Sequence, residues 1–109
     1  MLAFQREMEA LGKANKVVTM VFSEFGRRSY ENASGGTDHG AAAPMMFVGG
    51  SVKGGVHGPI PDLSDLQDGD LKFSIDFRQA YATALDDWMG GDSGVVLGQK
   101  FSHLDVLKG

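Results

Sequence analysis

The sequence predicts an α/β fold, and three observations point to it. The run Val17-Val18-Thr19-Met20-Val21-Phe22 is almost continuously apolar and rich in β-branched residues, the make-up of a strand covered on both faces. A short helical segment and a four-residue loop precede it, so the order helix, loop, strand gives half of an α/β unit. A second apolar segment, Pro44-Met45-Met46-Phe47-Val48, ends at Gly49-Gly50 and reads as another strand.

The first helix spans Leu2 to Leu11. Phe4, Met8 and Leu11 share a face, and Gly12 suits the position just past a helix end. The stretch from Ser23 to Thr37 is polar, and the middle of the chain reads as loop, since nine of the sixteen glycines lie between Gly26 and Gly58. From Ser51 to Lys72 an irregular course is expected, with Pro59, Pro61 and the acidic turn Asp68-Gly69-Asp70. The strongest helix covers Phe77 to Met89. Its apolar residues Phe77, Ala80, Tyr81, Ala84, Leu85 and Trp88 recur at helical spacing and predict a stripe facing a core. Asp76 with Gln79 three residues on forms a capping-box pattern, and Gly90 ends the segment. The tail from Val95 to Leu107 shows no sustained period.

Two short apolar strands do not make a stable parallel sheet alone, because both edges stay unpaired and both faces need cover. The sequence therefore reads as one segment, 1–109, of a larger α/β domain whose other strands lie elsewhere.

Composition narrows the function classes. The net charge is -4, and the ten basic residues do not cluster beyond Arg27-Arg28, which argues against a nucleic-acid or anionic-membrane partner. Without cysteine there is neither a disulfide framework nor thiolate chemistry. No apolar run reaches the length of a membrane span, and no signal peptide can be read.

Polar groups sit beside glycine in three places. At the end of the first strand, Ser23-Glu24-Phe25-Gly26-Arg27-Arg28 offers a carboxylate suited to a metal or a base, and an arginine able to clamp phosphate or sulfate. The same residues also suit an ordinary surface Glu–Arg pair. In Gly35-Gly36-Thr37-Asp38-His39-Gly40, Asp38 and His39 are good ligands for zinc or manganese. Neighbours on an extended chain point to opposite sides, so one can ligate while the other orients it. The alternative is an Asp-containing turn with an exposed His. The third place is Gly54-Gly55-Val56-His57-Gly58-Pro59, where a lone His57 is more often exposed than functional. His103 has no such context and receives no role. No nucleophile elbow, Ser-x-x-Lys pattern, P-loop or dinucleotide fingerprint occurs, so a covalent nucleophile, if used, lies outside this sequence.

The motifs SEFGRR, GGTDHG and DFRQAYAT, in this order and spacing, closely resemble the C-terminal third of the domain-of-unknown-function 1501 family, which is related to alkaline phosphatases and sulfatases. The resemblance runs from Phe4 to about Phe101. It implies the C-terminal portion of a three-layer α/β/α sandwich, with an N-terminal portion of the same fold as its partner. Relatives are typically exported by a twin-arginine signal, so a periplasmic or extracellular location is implied. The wider superfamily implies metal-assisted hydrolysis of small anionic esters, with zinc, manganese or calcium as the divalent metal. Where better-known members end a strand in a ligating Asp-His pair, this sequence has Glu24-Phe25, and Phe25 cannot ligate. His39, five residues before Pro44, fits the place of a later superfamily ligand. By resemblance, Glu24 and His39 are the expected metal ligands, Asp38 orients or co-ligates, and Arg27 faces the substrate anion; His57, in its own glycine-rich loop, completes the candidate metal residues without an assigned role.

Three functions follow as expectations: a metal-dependent hydrolase of phosphate or sulfate esters, an exported binding protein that kept the fold and lost the chemistry, or a truncated product without activity. The Asp38-His39 pair favours the first and the change to Phe25 the second.

Overall fold

The structure, a computed structural model, describes residues 1–108. Its elements run α1 (Leu2–Ala10), a 3₁₀ turn (Ala14–Lys16), β1 (Thr19–Val21), β2 (Gly26–Glu31), β3 (Thr37–Gly40), β4 (Met46–Val48), β5 (Leu66–Gln67), β6 (Asp70–Leu71), α2 (Phe77–Thr83), a π-helical turn (Ala84–Trp88) and α3 (Ser93–Leu97). The strands pair as β1 with β4, β2 with β3 and β5 with β6. The last two pairs are antiparallel, so the chain is a mixed α/β structure of helices and small sheets. No helix among the described residues is long and apolar enough to cross a membrane. Two compact units divide the chain: Met1–Val18, Val48–His57 and Ile75–Gly109 form the first, Thr19–Phe47 and Gly58–Ser74 the second.

The first unit holds the buried core. Ala80, Ala82 and Val106 are its buried apolar residues, joined by Thr83 and Ser93. The capping box forms as the sequence implies: Asp76 accepts from the Arg78 amide at 2.9 Å, and Gln79 Oε1 accepts from the Asp76 amide at 3.2 Å. Helix α2 runs directly into the π turn, and Gly90 follows with a left-handed φ of 67°. α1 likewise stops before Gly12, at φ 68°.

The expected apolar stripe is not the buried face. Of its six residues only Ala80 is buried, and Phe77 remains 56% exposed, while Ala82 and Thr83, off the stripe, are fully buried. The aperiodic C-terminal tail explains the difference, because it fastens to the helix through polar groups. Thr83 Oγ1 donates to the Gln79 carbonyl at 2.7 Å and accepts from the Leu104 amide at 2.8 Å. Gln79 Nε2 donates to Ser102 Oγ at 2.6 Å. The tail then bonds the 50–53 segment: Lys53 donates its amide to the Val106 carbonyl at 2.8 Å and Lys108 to that of Ser51 at 2.7 Å.

In the second unit none of the described apolar side chains is fully buried; its one buried residue is Gly26. The two apolar strands occur where expected, shortened to three residues each, and pair with one another. The polar stretch from Ser23 to Thr37, expected as loop, instead supplies most of an antiparallel hairpin, β2–β3. Its residues do not alternate apolar and polar because the hairpin is mostly exposed and rests on backbone pairing. A second hairpin sits inside the stretch expected to be irregular. Asp68 and Gly69 both take positive φ, 52° and 77°, as a two-residue turn between β5 and β6 requires.

Candidate functional site

The β2–β3 hairpin carries three of the five candidate residues, Arg27, Asp38 and His39, and its construction starts from two glycines. Gly26 and Gly40 are register partners at its open end. A Cβ on Gly26 would land on the Ala42 carbonyl, and one on Gly40 would lie 2.7 Å from Asp70 Oδ1 and 2.8 Å from the Arg27 carbonyl carbon. Only glycine lets these backbones approach so closely. The next register pair is Arg27 with His39. Residues opposed across an antiparallel pair project to the same face, so the guanidinium and the imidazole share one side of the ribbon.

Phe25 organises that side. Its ring stacks on His39 with centroids 3.7 Å apart and planes 7° from parallel, and the Arg27 guanidinium lies 5.4 Å from the Phe25 centroid. Arg27 also donates Nη1–H to the Thr37 carbonyl at 2.6 Å, which fixes its stem while the rest of its donor fork can serve a ligand. Phe25 thus departs from a ligand role and becomes the platform on which both basic side chains rest, a role the sequence reading missed. The change to an aromatic residue between Glu24 and Gly26 was its only signal.

Asp38, one residue from His39 on β3, is held elsewhere. Its Oδ1 accepts from Asn32 Nδ2 at 3.1 Å. Asn32 Oδ1 in turn accepts from the amides of Ser34 and Gly36 at 2.9 and 3.0 Å, the local bonding that lets Asn shape a turn. Asp38 therefore braces the hairpin loop. Between Arg27 and Glu31 the register shifts, so β2 carries extra residues opposite β3.

On the hairpin's next residue, Arg28 donates through Nη2 to the Asp68 carbonyl in the β5–β6 turn. Asp70 completes this contact set by accepting from the Ala41 amide at 2.9 Å. The far oxygen of Asp70 is buried without a hydrogen-bond partner. A cleft of about 470 Å³ borders Arg27 and Phe25; its other walls are mostly apolar, among them Phe22, Ala43 and Pro44, and His39 does not line it.

Glu24 is exposed at the entry to the hairpin. His57 belongs to the first unit, where its Nε2 lies 3.0 Å from the Lys53 carbonyl. Lys53 also pairs with Asp105, whose exposed carboxyl is held below the usual range, first by that hydrogen bond. The hairpin thus brings together Arg27 and His39, with Phe25 between them in function. It does not bring His57 to them in one unit. Among the described residues, no three His, Asp or Glu side chains come together as a metal site.

No curated protein and no solved structure matches this sequence. A family model described as "Protein of unknown function (DUF1501)" matches residues 1–99, and the chain belongs to that family.

Proposed function

We propose that the β2–β3 hairpin forms one wall of a site for small anionic esters of phosphate or sulfate. The observation that carries this reading is the register pair Arg27–His39, seated on Phe25, with Arg27 also lining an open cleft. A guanidinium meets two oxygens of a phosphate or sulfate group in a planar, bidentate fashion, and an imidazole N–H adds a donor of adjustable charge. The aromatic platform limits the rotamers open to both side chains, so less ordering is lost when the anion binds.

In this reading the chain is the C-terminal segment of a larger domain of the alkaline phosphatase and sulfatase kind, and its family relatives are exported. Two features support a missing body of structure. The second unit has no fully buried apolar side chain among the described residues, and the apolar stripe of α2 with its π turn is left half-covered. Metal-dependent hydrolysis is the second reading, favoured by Glu24 at the strand exit and by His39, which would serve as ligands alongside residues contributed from outside the hairpin.

The test is calorimetric titration with inorganic phosphate and sulfate, on the wild type, Arg27→Gln and His39→Ala. Saturable binding that both substitutions weaken by about tenfold or more would support the site, since each loses a charge-assisted bond. Binding that both variants retain would overturn it. Turnover of p-nitrophenyl phosphate or sulfate that depends on added zinc, manganese or calcium and on His39 would select the hydrolase reading over binding alone.

A further inference from the structure

The first unit contains a cluster of titratable groups that the hairpin site does not use. The π turn presents two consecutive acids, Asp86 and Asp87, to the ring of His103. His103 Nε2 lies 2.7 Å from Asp86 Oδ2, and Nδ1 lies 3.1 Å from Asp87 Oδ1. Asp86 is already fixed from its other side, accepting from the Ser93 hydroxyl at 2.6 Å and the Ser93 amide at 2.7 Å. A neutral imidazole carries a single N–H, so it can donate to one of the two carboxylates and must turn a lone pair toward the other. The imidazolium donates to both.

We propose that His103 is a pH-operated latch, clamping the C-terminal tail to the Asp86–Asp87 turn when protonated and releasing one carboxylate when neutral. The tail it clamps is the strap of the first unit. Beyond His103, Leu104 bonds Thr83, Val106 accepts from the Lys53 amide, and Leu107 bridges to Val52. The Lys53 carbonyl is in turn the partner of His57. Loosening the strap therefore loosens the loop that carries His57. Of the other charges near the tail, Asp105 pairs with Lys53 and also feels His57, Arg78 lies 4.6 Å over the Phe101 ring and pairs with Asp76, Lys108 donates Nζ–H to the Gly50 carbonyl, and Lys100 lies three residues before His103. Asp86 and Asp87 are the charged groups that meet the ring itself. The ordering of the loop would then follow the protonation of this one imidazole, held between two carboxylates.

The test is amide hydrogen exchange of the full protein between about pH 5.5 and about pH 8, read at Leu104 and Lys53 and corrected for intrinsic rates. Protection should fall about two- to fivefold as pH rises, the scale of one partly exposed charged contact. Asp87→Asn should shrink the change and His103→Gln should abolish it. Protection that is flat with pH in the wild type, or a pH dependence that survives in His103→Gln, overturns the latch. Should His103→Gln loosen the tail at every pH, the ring ¹⁵N shifts of wild-type His103 decide. Both nitrogens protonated at about pH 5.5 supports the proposal, and a single neutral tautomer there overturns it.

Discussion

The two units are stabilised by different means, and the contrast explains where function can sit. The first unit closes around buried groups whose polar atoms are matched: Thr83 and Ser93 are buried, and each is hydrogen-bonded to the tail or the π turn. The second unit buries glycine instead of side chains. It is held by ladder pairing, by the Asn32 turn and by arginine contacts to a carbonyl. Burial of apolar surface is the main source of folding free energy, so the second unit is the less self-sufficient of the two. Its side chains are correspondingly available, and there the basic pair Arg27–His39 lies. Regions of low local stability are where binding elements are commonly found.

The comparison is broken most severely at Gly26. Gly26→Ala drives a methyl into the Ala42 carbonyl, backbone that cannot yield as a flexible side chain would. The hairpin should be lost or displaced, at a cost of about 3 kcal/mol or more. Chemical-shift changes confined to the second unit, with α2 intact, are the expected signature. Next comes Thr83→Val in the first unit. It keeps the shape but strips the acceptor from the Leu104 amide, at about 1–3 kcal/mol measured by denaturant unfolding.

A smaller effect comes from acid. Asp76 is held at a pKa of about 2, first by the side-chain hydrogen bond from Arg78 and then by the Arg78 amide. A carboxylate with a depressed folded pKa contributes stability that is present above its unfolded value and is lost as pH falls through the folded one. The α2 cap should thus be intact above about pH 4 and weaken toward pH 2, as followed by helical circular dichroism. Asp76→Ala should remove that part of the acid response. Last is Gly54→Ala: a Cβ there meets nothing within 4 Å and no positive φ is required. Neutral to slightly stabilising behaviour is expected, up to about 1 kcal/mol.

Much of the first unit was legible in the sequence. The Asp76–Gln79 capping box, the glycines that stop the helices and the start of α2 follow from local rules that act within a few residues. The face that α2 buries was not legible, because the tail docks on it through Gln79, Thr83 and Ser102, and polar stitching leaves no apolar period. His103 received no role for the same reason: its partners Asp86 and Asp87 are distant in sequence and meet it through the fold. In the second unit the two apolar strands were readable and the β2–β3 hairpin was not. Its strands are exposed, so neither face carries the alternation by which strands are recognised. The site residues Arg27 and His39 were both named from sequence, but their opposition across the ribbon depends on a register that a shift in β2 makes unreadable.

Native-state hydrogen exchange on the wild-type chain tests the contrast between the units most directly. Slow exchange is expected for the amides of α2 and for Leu104, and fast exchange for the β2–β3 ladder, with the ladder alone gaining protection when inorganic phosphate is added. Equal protection in the two units, or phosphate-induced protection confined to the first, would contradict it.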